Sequence, residues 1–546
     1  MDHAVVPAPA RFDAAGGPGF AFRPGTVVAY ADARIAPLAG RFCAQVTRRT
    51  GLRLTPVPGD QVPDEPSVTI QLAAARAPAA LPASAGLPAP AAPPAPAGLP
   101  APAGLSPAGG DPAAERYSLL IEDGRVVLRA AETAGVARGL TTLLQLVASS
   151  TEEFRVSAAR ILDAPRYAWR GLSLDVARTF FTVGEIRRVI DLLELYKLNV
   201  LHLHLTDDQA WPLALGRPAA GPEPGTPFYR DEDLRDLVGY AADRFVTIVP
   251  EIDTPGHTAA LLRLRPDLRS GRNEVEYEFL PGHRRRAVWL DPELPATFEL
   301  MEQVLAGLAG IFPGPYLHIG ADEPRGMPDE VYASYVRRLR RLVRTLGQRP
   351  LGWQESARAG LGPADVIQLW LTGIDLPASA SPQVRAQVEA EVALARRDAE
   401  MIAAASVPVI VSPLAHCYLD VPYAEPPADA VLADTGQADR HSRLGLRVYA
   451  PKTVADSFGW EPADTLGPGR AAQVAGVEAA IWAETISGFD DLTFLLLPRL
   501  AGVAHRAWSL PEASGWVGHR DRLARHDRLS AQDGLTYFRA STVGWT

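Results

Sequence analysis

The chain has 546 residues, of which 47% are hydrophobic and 21% are charged, a composition typical of a globular protein with a large core. Its 54 Lys and Arg and 63 Asp and Glu give a formal net charge of −9, which argues against a nucleic-acid-binding or membrane-surface protein. Two cysteines, Cys43 and Cys417, exclude a disulfide scaffold and a cysteine-rich zinc site. Because the N-terminus shows no basic segment followed by an apolar one, we expect no signal peptide and a soluble, cytoplasmic protein.

Residues 1–165 are predicted to form a small α+β domain. Apolar periodicity predicts strands at 26–30, 68–72, 117–122 and 126–129, and helices at 34–49 and 134–148. Asp123-Gly124 indicates a hairpin turn. Segment 78–112 holds 11 of the 50 prolines, so we predict a disordered Pro/Ala-rich insertion. A docking site for a proline-recognising partner is the alternative.

Residues 166–546 are predicted to form a second domain that ends in a C-terminal tail. Strands are predicted at 171–175, 199–205, 246–250, 316–320, 350–353, 366–370, 407–411 and 477–482. Intervening helices are predicted at 184–196, 231–243, 295–309, 329–346 and 383–405. This alternation, over roughly 340 residues, predicts a (β/α)8 barrel. A doubly wound open sheet is the alternative, but no Gly-x-Gly-x-x-Gly follows the first strand.

The C-terminal ends of these strands, where barrel enzymes carry their chemistry, are unusually polar. Carboxylates follow four of them, including the adjacent pair Asp322 and Glu323. Since crowded like charges cost stability, the pattern indicates function. Tryptophans end three further strands, and aromatic faces beside carboxylates are typical of a sugar-binding site.

His202 and His204 alternate with leucines along the second strand, so both are expected to face the barrel interior. A His-x-His pair at a strand end can also bind a metal, as in metal-dependent amidohydrolases. Such sites need further histidines on later strands, where this chain offers tryptophans. We therefore favour an interior role for the two histidines and keep a metal-dependent barrel hydrolase as an alternative.

Five stretches resemble glycoside hydrolase family 20, the β-N-acetylhexosaminidases. They lie at 169–178, 197–209, 249–257, 318–323 and 482–484, and the residues before the barrel also resemble the N-terminal domain of that family. The insertion and the long segment 373–405 between strands six and seven depart from the family pattern. The resemblance implies an exo-acting, retaining enzyme that removes terminal β-linked GlcNAc or GalNAc through an oxazolinium intermediate formed by the substrate's own acetamido group.

The resemblance also implies a role for each matching residue. Glu323 is implied as general acid and base, and Asp322 as the residue that holds the acetamido N–H and stabilises the intermediate. The implied substrate contacts are Tyr418 to the acetamido oxygen, Trp353, Trp370 and Trp482 around the acetamido group, and Arg178, Asp420 and Glu484 to hydroxyls. Asp207 and His257 are implied to support Glu323, and Asp208 is interpreted as structural, although the doublet leaves this choice open.

The resemblance implies no metal and no cofactor, and a carbohydrate with a terminal N-acetylhexosamine as the substrate. Nucleic-acid and membrane partners are not expected, and the oligomeric state is not readable from the sequence. A non-catalytic carbohydrate-binding protein is a further alternative. The complete set of matching residues disfavours it, since an enzyme that has lost activity usually loses its acid.

Overall fold

The computed structural model describes residues 3–59, 66–72, 104–150, 153–214, 222, 224–270, 273–280, 283–428, 435–513 and 515–545. Before the barrel, the strands are β1 (Arg11–Ala14), β2 (Phe20–Ala21), β3 (Val27–Tyr30), β4 (Thr55–Pro58), β5 (Ser67–Leu72), β6 (Tyr117–Glu122), β7 (Arg125–Ala130), β8 (Arg155–Val156) and β9 (Ala159–Asp163). The helices there are α1 (Ala36–Thr50) and α2 (Thr133–Ala148). Within the described residues, seven of these strands form one mixed sheet in the order β1-β9-β6-β7-β5-β3-β4.

The two helices pack against this sheet through the apolar periodicity that predicted them. Phe42 and Val46 of α1 and Leu143 and Val147 of α2 are buried in one core with the apolar residues of the strands. Gly124 has φ +74° in the turn between β6 and β7, a conformation that favours glycine in a tight hairpin. This agrees with the predicted Asp-Gly hairpin.

A closed barrel of parallel strands follows, as predicted, and excludes the open-sheet alternative. Its strands are β10 (Trp169–Asp175), β11 (Val200–His204), β12 (Thr247–Thr254), β15 (Tyr316–Gly320), β16 (Arg349–Trp353), β17 (Val366–Leu369), β18 (Val409–Val411) and β19 (Val474–Ile481). A two-stranded hairpin, β13 (Glu274–Leu280) and β14 (His283–Val288), stands between β12 and β15 and was not predicted.

Helices surround the barrel and continue to the C-terminal region. They are α3 (Val183–Leu195), α4 (Asp231–Ala242), α5 (Ala259–Leu264), α6 (Pro295–Ile311), α7 (Asp329–Thr345), α8 (Pro382–Ala405), α9 (Leu414–Cys417), α10 (Thr435–Arg443), α11 (Phe489–Leu496), α12 (Arg499–Trp508) and α13 (Trp516–Gln532). The start of α3 is fixed by a capping box between Thr182 and Glu185. In the described part of the chain, no helix is both long and apolar enough to span a bilayer.

Buried ion pairs join the N-terminal sheet domain to the barrel. Glu115 accepts from Arg138 at 2.6 Å and from Arg170 of β10 at 2.6 Å. Asp163 accepts from the ammonium group of Lys197 at 2.8 Å, and both side chains are fully buried. Burial alone would raise the pKa of Glu115, but Arg170 and Arg138 outweigh it and hold the pKa below its ordinary value. We call these five residues the junction cluster.

The end of the proline-rich segment lies against the N-terminal end of the barrel. The backbone N–H of Leu105 donates to Ala475 at 3.3 Å, and the Tyr316 hydroxyl donates to the carbonyl of Ser106 at 3.3 Å. Leu105 also packs on the apolar layer that includes Trp169 and Tyr316. The predicted disorder of 78–112 therefore does not hold for residues 104–112, and residues 78–103 lie outside the described residues.

Candidate active site

The predicted site residues all lie at or beyond the C-terminal ends of barrel strands. Arg178 follows β10, Asp207 follows β11, and His257 follows β12; Asp322 and Glu323 follow β15, Trp353 ends β16, and Trp370 follows β17; Tyr418 and Asp420 follow β18 and α9, and Trp482 and Glu484 follow β19. Since parallel barrel strands end at one rim, residues far apart in sequence share one mouth.

A polar network inside the barrel supports this mouth. The carboxylate of Glu251 lies 2.7 Å from His204 Nδ1 and 3.0 Å from His318 Nδ1, and it accepts from Trp353 Nε1 at 2.8 Å. Glu478 lies 2.9 Å from His202 Nδ1. Each of these side chains is buried, so the histidines face the interior, as the alternation with leucines predicted. The network fixes the rotation of Trp353, which reaches the mouth.

Three sets of side chains bring potential metal-ligand atoms within 4.8 Å of one another: His202, Glu251 and His318; His204, Glu251 and Asp253; and Asp207, Asp253 and His257. Burial alone would lower the pKa of His202, but Glu251 outweighs it and raises the pKa to about 9. The ring nitrogens of His202 lie 2.9 Å from Glu478 and 3.1 Å from Glu251, which agrees with the interior role predicted for this residue.

Asp207 connects three elements of the mouth. One carboxylate oxygen lies 2.9 Å from His204 Nε2 and 2.7 Å from an Arg178 nitrogen, and the other lies 3.2 Å from His257 Nδ1. Burial would raise the pKa of Asp207, but His257 and Arg178 outweigh it and hold the pKa well below its ordinary value. Asp207 is thus an anion that orients the His257 ring toward the adjacent carboxylates.

Asp208 has a different environment, which separates the members of the doublet. Its carboxylate accepts from the backbone N–H of Ala259 at 2.9 Å, at the start of α5. Its carbonyl accepts from Arg263 at 3.1 Å. These contacts anchor the loop after β11 to α5, in line with the structural interpretation of Asp208.

The centre of the mouth is acidic, and the imidazole ring of His257 lies between two of its carboxylates. Nε2 of His257 lies 3.8 Å from Asp322 Oδ2 and 3.8 Å from Glu323 Oε2. Asp322 also has a side-chain hydrogen bond with Asp253, whose pKa is raised well above its ordinary value by burial and by the charge of Asp322. The two carboxyl groups therefore influence each other directly, a relation that the sequence did not reveal.

The pKa values of the two catalytic candidates move in opposite directions. Burial raises the pKa of Asp322, although His257 opposes that change. Burial would also raise the pKa of Glu323, but Arg325 and then His257 outweigh it and hold the pKa below its ordinary value. These directions are the reverse of those expected for Glu323 as the acid and Asp322 as the anion, so the roles of the two residues rest on their position and not on their pKa values.

The chain bends sharply where it carries these carboxylates. Gly320, Ala321 and Glu323 have φ of +65°, +74° and +40°, all in the left-handed region. A Cβ at Gly320 would lie 1.8 Å from Oδ1 of Asp253, so only glycine fits the close approach of the two strand ends. The backbone N–H of Ala321 donates to the same Asp253 oxygen at 3.1 Å. The bend directs Asp322 and Glu323 into the mouth from adjacent positions.

Aromatic rings form one wall of the mouth. The rings of Trp353 and Trp482 are 5.9 Å apart, Tyr418 and Trp482 are 6.1 Å apart, and Trp370 stacks on Tyr418 at 6.0 Å. Nε1 of Trp370 donates to Glu355 at 3.3 Å. Burial, and then the charge of Asp322, raises the pKa of Glu355 to about 8. The wall is fixed by hydrogen bonds behind it and presents apolar faces to the cavity.

Asp420 is buried, and no side chain of the described residues donates a hydrogen bond to its carboxylate oxygens. Burial, followed by the charge of Glu484, raises its pKa to about 8. Glu484 is exposed at the rim and lies near Arg178. Burying a carboxyl group that has no side-chain partner costs free energy. Its oxygens are therefore well suited to accept hydrogen bonds from a hydroxylated ligand.

Sequence reasoning missed the partners of Glu323. Arg325 donates to Glu323 Oε1 at 2.8 Å and to Glu391 Oε1 of α8 at 2.6 Å. Arg325 stands two residues after the acid, but nothing in the sequence pairs it with a residue 66 positions away. Tyr449, which packs beside Trp370, Tyr418 and Trp482, also lay outside the motifs.

A barrel mouth that combines paired carboxylates with a wall of tryptophans is typical of glycoside hydrolases. The description "Glycosyl hydrolase family 20, catalytic domain" matches residues 167–329 and 327–511, and "Glycosyl hydrolase family 20, domain 2" matches residues 2–164. The chain belongs to glycosyl hydrolase family 20, and it is a β-N-acetylhexosaminidase.

Individual relatives agree with this assignment. The chain is 38% identical over 452 residues to a beta-N-acetylhexosaminidase of Cellulomonas fimi, covering 80% of this chain and 82% of that protein. The solved GH20 beta-N-acetylhexosaminidase of Streptomyces coelicolor A3(2) superposes with a TM-score of 0.77 at 29% identity, covering 100% and 99% of the two chains. A mutant Streptomyces plicatus beta-hexosaminidase in complex with its product GlcNAc gives a TM-score of 0.77 at 28% identity, covering 100% and 98%.

Proposed function

We propose that the enzyme removes terminal β-linked N-acetylhexosamine residues one at a time, with retention, by substrate-assisted catalysis. The observation that carries the proposal is the pair Asp322 and Glu323 on one sharp bend, both facing the same nitrogen of His257 beside an aromatic wall. The product complex of the Streptomyces plicatus relative supports GlcNAc as one sugar that the mouth accepts.

In the first step, the acetamido oxygen of the substrate attacks C1, and Glu323 protonates the departing glycosidic oxygen. The tryptophan wall confines the acetamido group under C1, which replaces a random encounter with a fixed geometry. Tyr418 donates to the acetamido oxygen, and its burial raises its pKa well above the ordinary value, so it keeps its proton. The bond between C1 and the leaving oxygen breaks as the oxazolinium ring closes.

Asp322 stabilises the positive charge that develops on the acetamido group and accepts from its N–H. The side-chain hydrogen bond between Asp253 and Asp322 helps to hold the Asp322 carboxyl group in place. In the second step, Glu323 takes a proton from a water molecule that attacks C1 and restores the β-configured sugar. Arg178, Asp420 and Glu484 bind the hydroxyls at the far side of the ring.

The test compares Glu323→Gln with the wild-type enzyme on an aryl N-acetyl-β-glucosaminide. We expect the variant to lose about 10²- to 10⁴-fold in kcat, the usual contribution of a general acid, while it still binds GlcNAc. Unchanged turnover would contradict the assignment of Glu323. A chelator should leave the wild-type rate unaltered, whereas a metal-dependent hydrolase would lose it.

The substrate's own part in the reaction is tested with the matching aryl β-glucoside, which lacks the acetamido group. We expect almost no hydrolysis of this compound, because it has no internal nucleophile. Equal turnover of the two aryl glycosides would refute the substrate-assisted mechanism while leaving the family assignment intact.

A further inference from the structure

Arg325 connects the general acid to a helix that departs from the family pattern. Its backbone N–H donates to the carbonyl of Glu323 at 2.6 Å, and its Nη2 donates to Glu323 Oε1 at 2.8 Å. Its Nη1 donates to Glu391 Oε1 at 2.6 Å. Glu391 lies on α8, within the long segment 373–405. One guanidinium group therefore bridges the acid and this segment.

The helix that carries Glu391 is itself fixed to the barrel. Arg358, from the short 3-10 helix Gln354–Ala359 that follows β16, donates to the two carboxylate oxygens of Asp398 at 2.8 Å and 2.6 Å. Asp398 is buried on α8, one face of which also buries Val392 and Ala395. Glu391 thus holds Arg325 from an anchored position.

The contact of Arg325 distinguishes the two oxygens of Glu323. A guanidinium group only donates hydrogen bonds, so the oxygen that it contacts, Oε1, is kept as an acceptor. The other oxygen, Oε2, faces the cavity side where Nε2 of His257 lies at 3.8 Å, too far for a hydrogen bond. The proton of the acid is therefore directed to Oε2.

We propose that Arg325, anchored by Glu391, is a positioning residue that fixes the rotation of the Glu323 carboxyl group so that Oε2 delivers the proton. The proposal rests on the role of Glu323 in the proposed function. It assigns to α8 a part in catalysis: the helix shares the charge of Arg325 between two carboxylates and so adjusts the acidity of the group that reacts.

The groups around Glu323 determine how each change should act. The cations that face it are Arg325, His257 and Arg178, and the other titratable neighbours are Asp322, Tyr449 and, through Arg325, Glu391. Arg325 is the strongest of the groups that hold the pKa of Glu323 down. Without Arg325 that pKa should rise, whereas without Glu391 the undivided charge of Arg325 should lower it further.

The first experiment measures the pH optimum of kcat/KM. The optimum of a bell-shaped profile lies midway between its two pKa values, whichever group has the higher one. An adjacent cation lowers a carboxyl pKa by about 1–3, so Arg325→Gln should move the optimum to higher pH by at least about 0.5. Glu391→Gln should move it to lower pH. Glu389→Gln, an exposed acid on the same helix, should leave it unchanged as a charge-matched control.

The second experiment compares leaving groups. A misplaced acid harms substrates that need protonation, so Arg325→Gln should lower kcat/KM at least about tenfold for an N,N′-diacetylchitobiose substrate. For an activated dinitrophenyl N-acetyl-β-glucosaminide, whose leaving group departs unprotonated, the loss should be under about threefold. Arg325→Lys, which keeps the charge and one donor, should recover part of the loss.

Three results would overturn the proposal: equal losses for both leaving groups with an unmoved optimum, an effect confined to the KM of the disaccharide, or shifts of the same sign in Arg325→Gln and Glu391→Gln. Should Arg325→Gln fold poorly, Glu391→Gln and Arg325→Lys carry the same test. Glu323→Gln in parallel separates the two levels: its full activity would refute the acid assignment, whereas its inactivity beside indifferent Arg325 variants would refute only the positioning role.

Discussion

The junction cluster and the mouth of the barrel both bury ionisable side chains, but the mouth also sets carboxyl groups against one another. In the junction cluster, Glu115 meets two arginines and Asp163 meets Lys197. In the mouth, no side chain of the described residues donates a hydrogen bond to Asp420, and Asp253 and Asp322 share a hydrogen bond between two acids. The first region lowers the pKa of its carboxyl group Glu115, and the second raises those of Asp253, Asp322 and Asp420.

This difference follows from what each region contacts. The junction cluster contacts only protein, so its charges must be neutralised within the chain. The mouth is proposed to bind a sugar, so some of its carboxyl groups, such as Asp420, are buried without a side-chain partner among the described residues. The lowered pKa of Glu115 favours the folded state at neutral pH, whereas the raised pKa values in the mouth oppose it. Such a difference is common between structural and functional sites.

The largest effect on stability is expected when the junction loses its shared carboxylate. Glu115→Gln leaves Arg138 and Arg170 buried without a counter-ion, which should lower the free energy of unfolding by about 3–5 kcal/mol. Equilibrium urea unfolding followed by tryptophan fluorescence measures the change. Glu122→Gln, which breaks an exposed pair with Arg125, is the matched control and should cost less than about 1 kcal/mol. Equal costs for the two variants would abolish the contrast.

In the mouth, loss of a charge should reduce activity without reducing stability. Asp322→Asn removes the carboxylate that is proposed to stabilise the intermediate, so kcat/KM should fall by about 10²- to 10³-fold. The melting temperature should stay the same or rise, because repulsion from Glu323 is relieved. Scanning calorimetry and steady-state kinetics test both parts, with the exposed Asp329→Asn as control. A large loss of stability in Asp322→Asn would show that Asp322 stabilises the fold, as the residues of the junction cluster do.

The two regions should also respond oppositely to pH. The pKa of Asp420 is raised from its ordinary 3.8 to about 8. Between these values the unfolded chain releases a proton that the folded protein retains, so Asp420 lowers stability progressively as pH rises, by at most about 1.4 kcal/mol per pH unit. Glu115, whose pKa is lowered, contributes stability at neutral pH that is lost as pH falls through its folded pKa.

Asp420→Asn tests this directly. The free energy of unfolding of the variant, relative to that of the wild-type enzyme, should increase between pH 4 and pH 8. The reason is that the amide does not titrate and so does not oppose folding as the pH rises. Urea unfolding at several pH values measures the difference. A difference that is constant across the range would show that Asp420 does not titrate between those pH values.

The smallest effect is expected at the doublet after β11. Asp208→Ala removes the acceptor of the Ala259 N–H and should lower the free energy of unfolding by about 1 kcal/mol with kcat intact. Asp207→Ala should instead reduce kcat, because it frees His257 and Arg178. Thermal unfolding and steady-state kinetics of the two variants show which residue supports catalysis and which supports the fold. A loss of kcat in Asp208→Ala but not in Asp207→Ala would exchange these roles.

Much of the barrel could be predicted because its strands follow a simple alternation. Seven of the eight strands end within two residues of their predicted ends, and His202 and His204 face the interior as expected. The eighth, β12, was predicted to end at 250 but continues to Thr254. The polar residues Glu251 and Asp253 are atypical of a buried strand. Inside this barrel they form hydrogen bonds with Trp353 and with the backbone of Ala321.

The missed features depend on contacts that no local pattern encodes. The edge strand β4 reads Thr-Pro-Val-Pro, and β1 at the opposite edge is only four residues long, so neither resembles a strand in isolation. Arg325 and Glu391 meet only because α8 follows a particular path over the barrel. Asp253 lies in a recognised motif, but its raised pKa depends on its burial and on the nearby charge of Asp322, which the sequence does not give.

Gly320 constrains the carboxyl groups of the proposed site through its lack of a side chain. Because a Cβ there would overlap Asp253, the smallest replacement, Gly320→Ala, would separate Asp253 from Asp322. Engineers who seek new sugar specificity by randomising the rings and carboxylates of the cavity therefore have to keep this position constant. The single hydrogen atom that forms the side chain of Gly320 therefore limits which variants of the mouth can fold correctly.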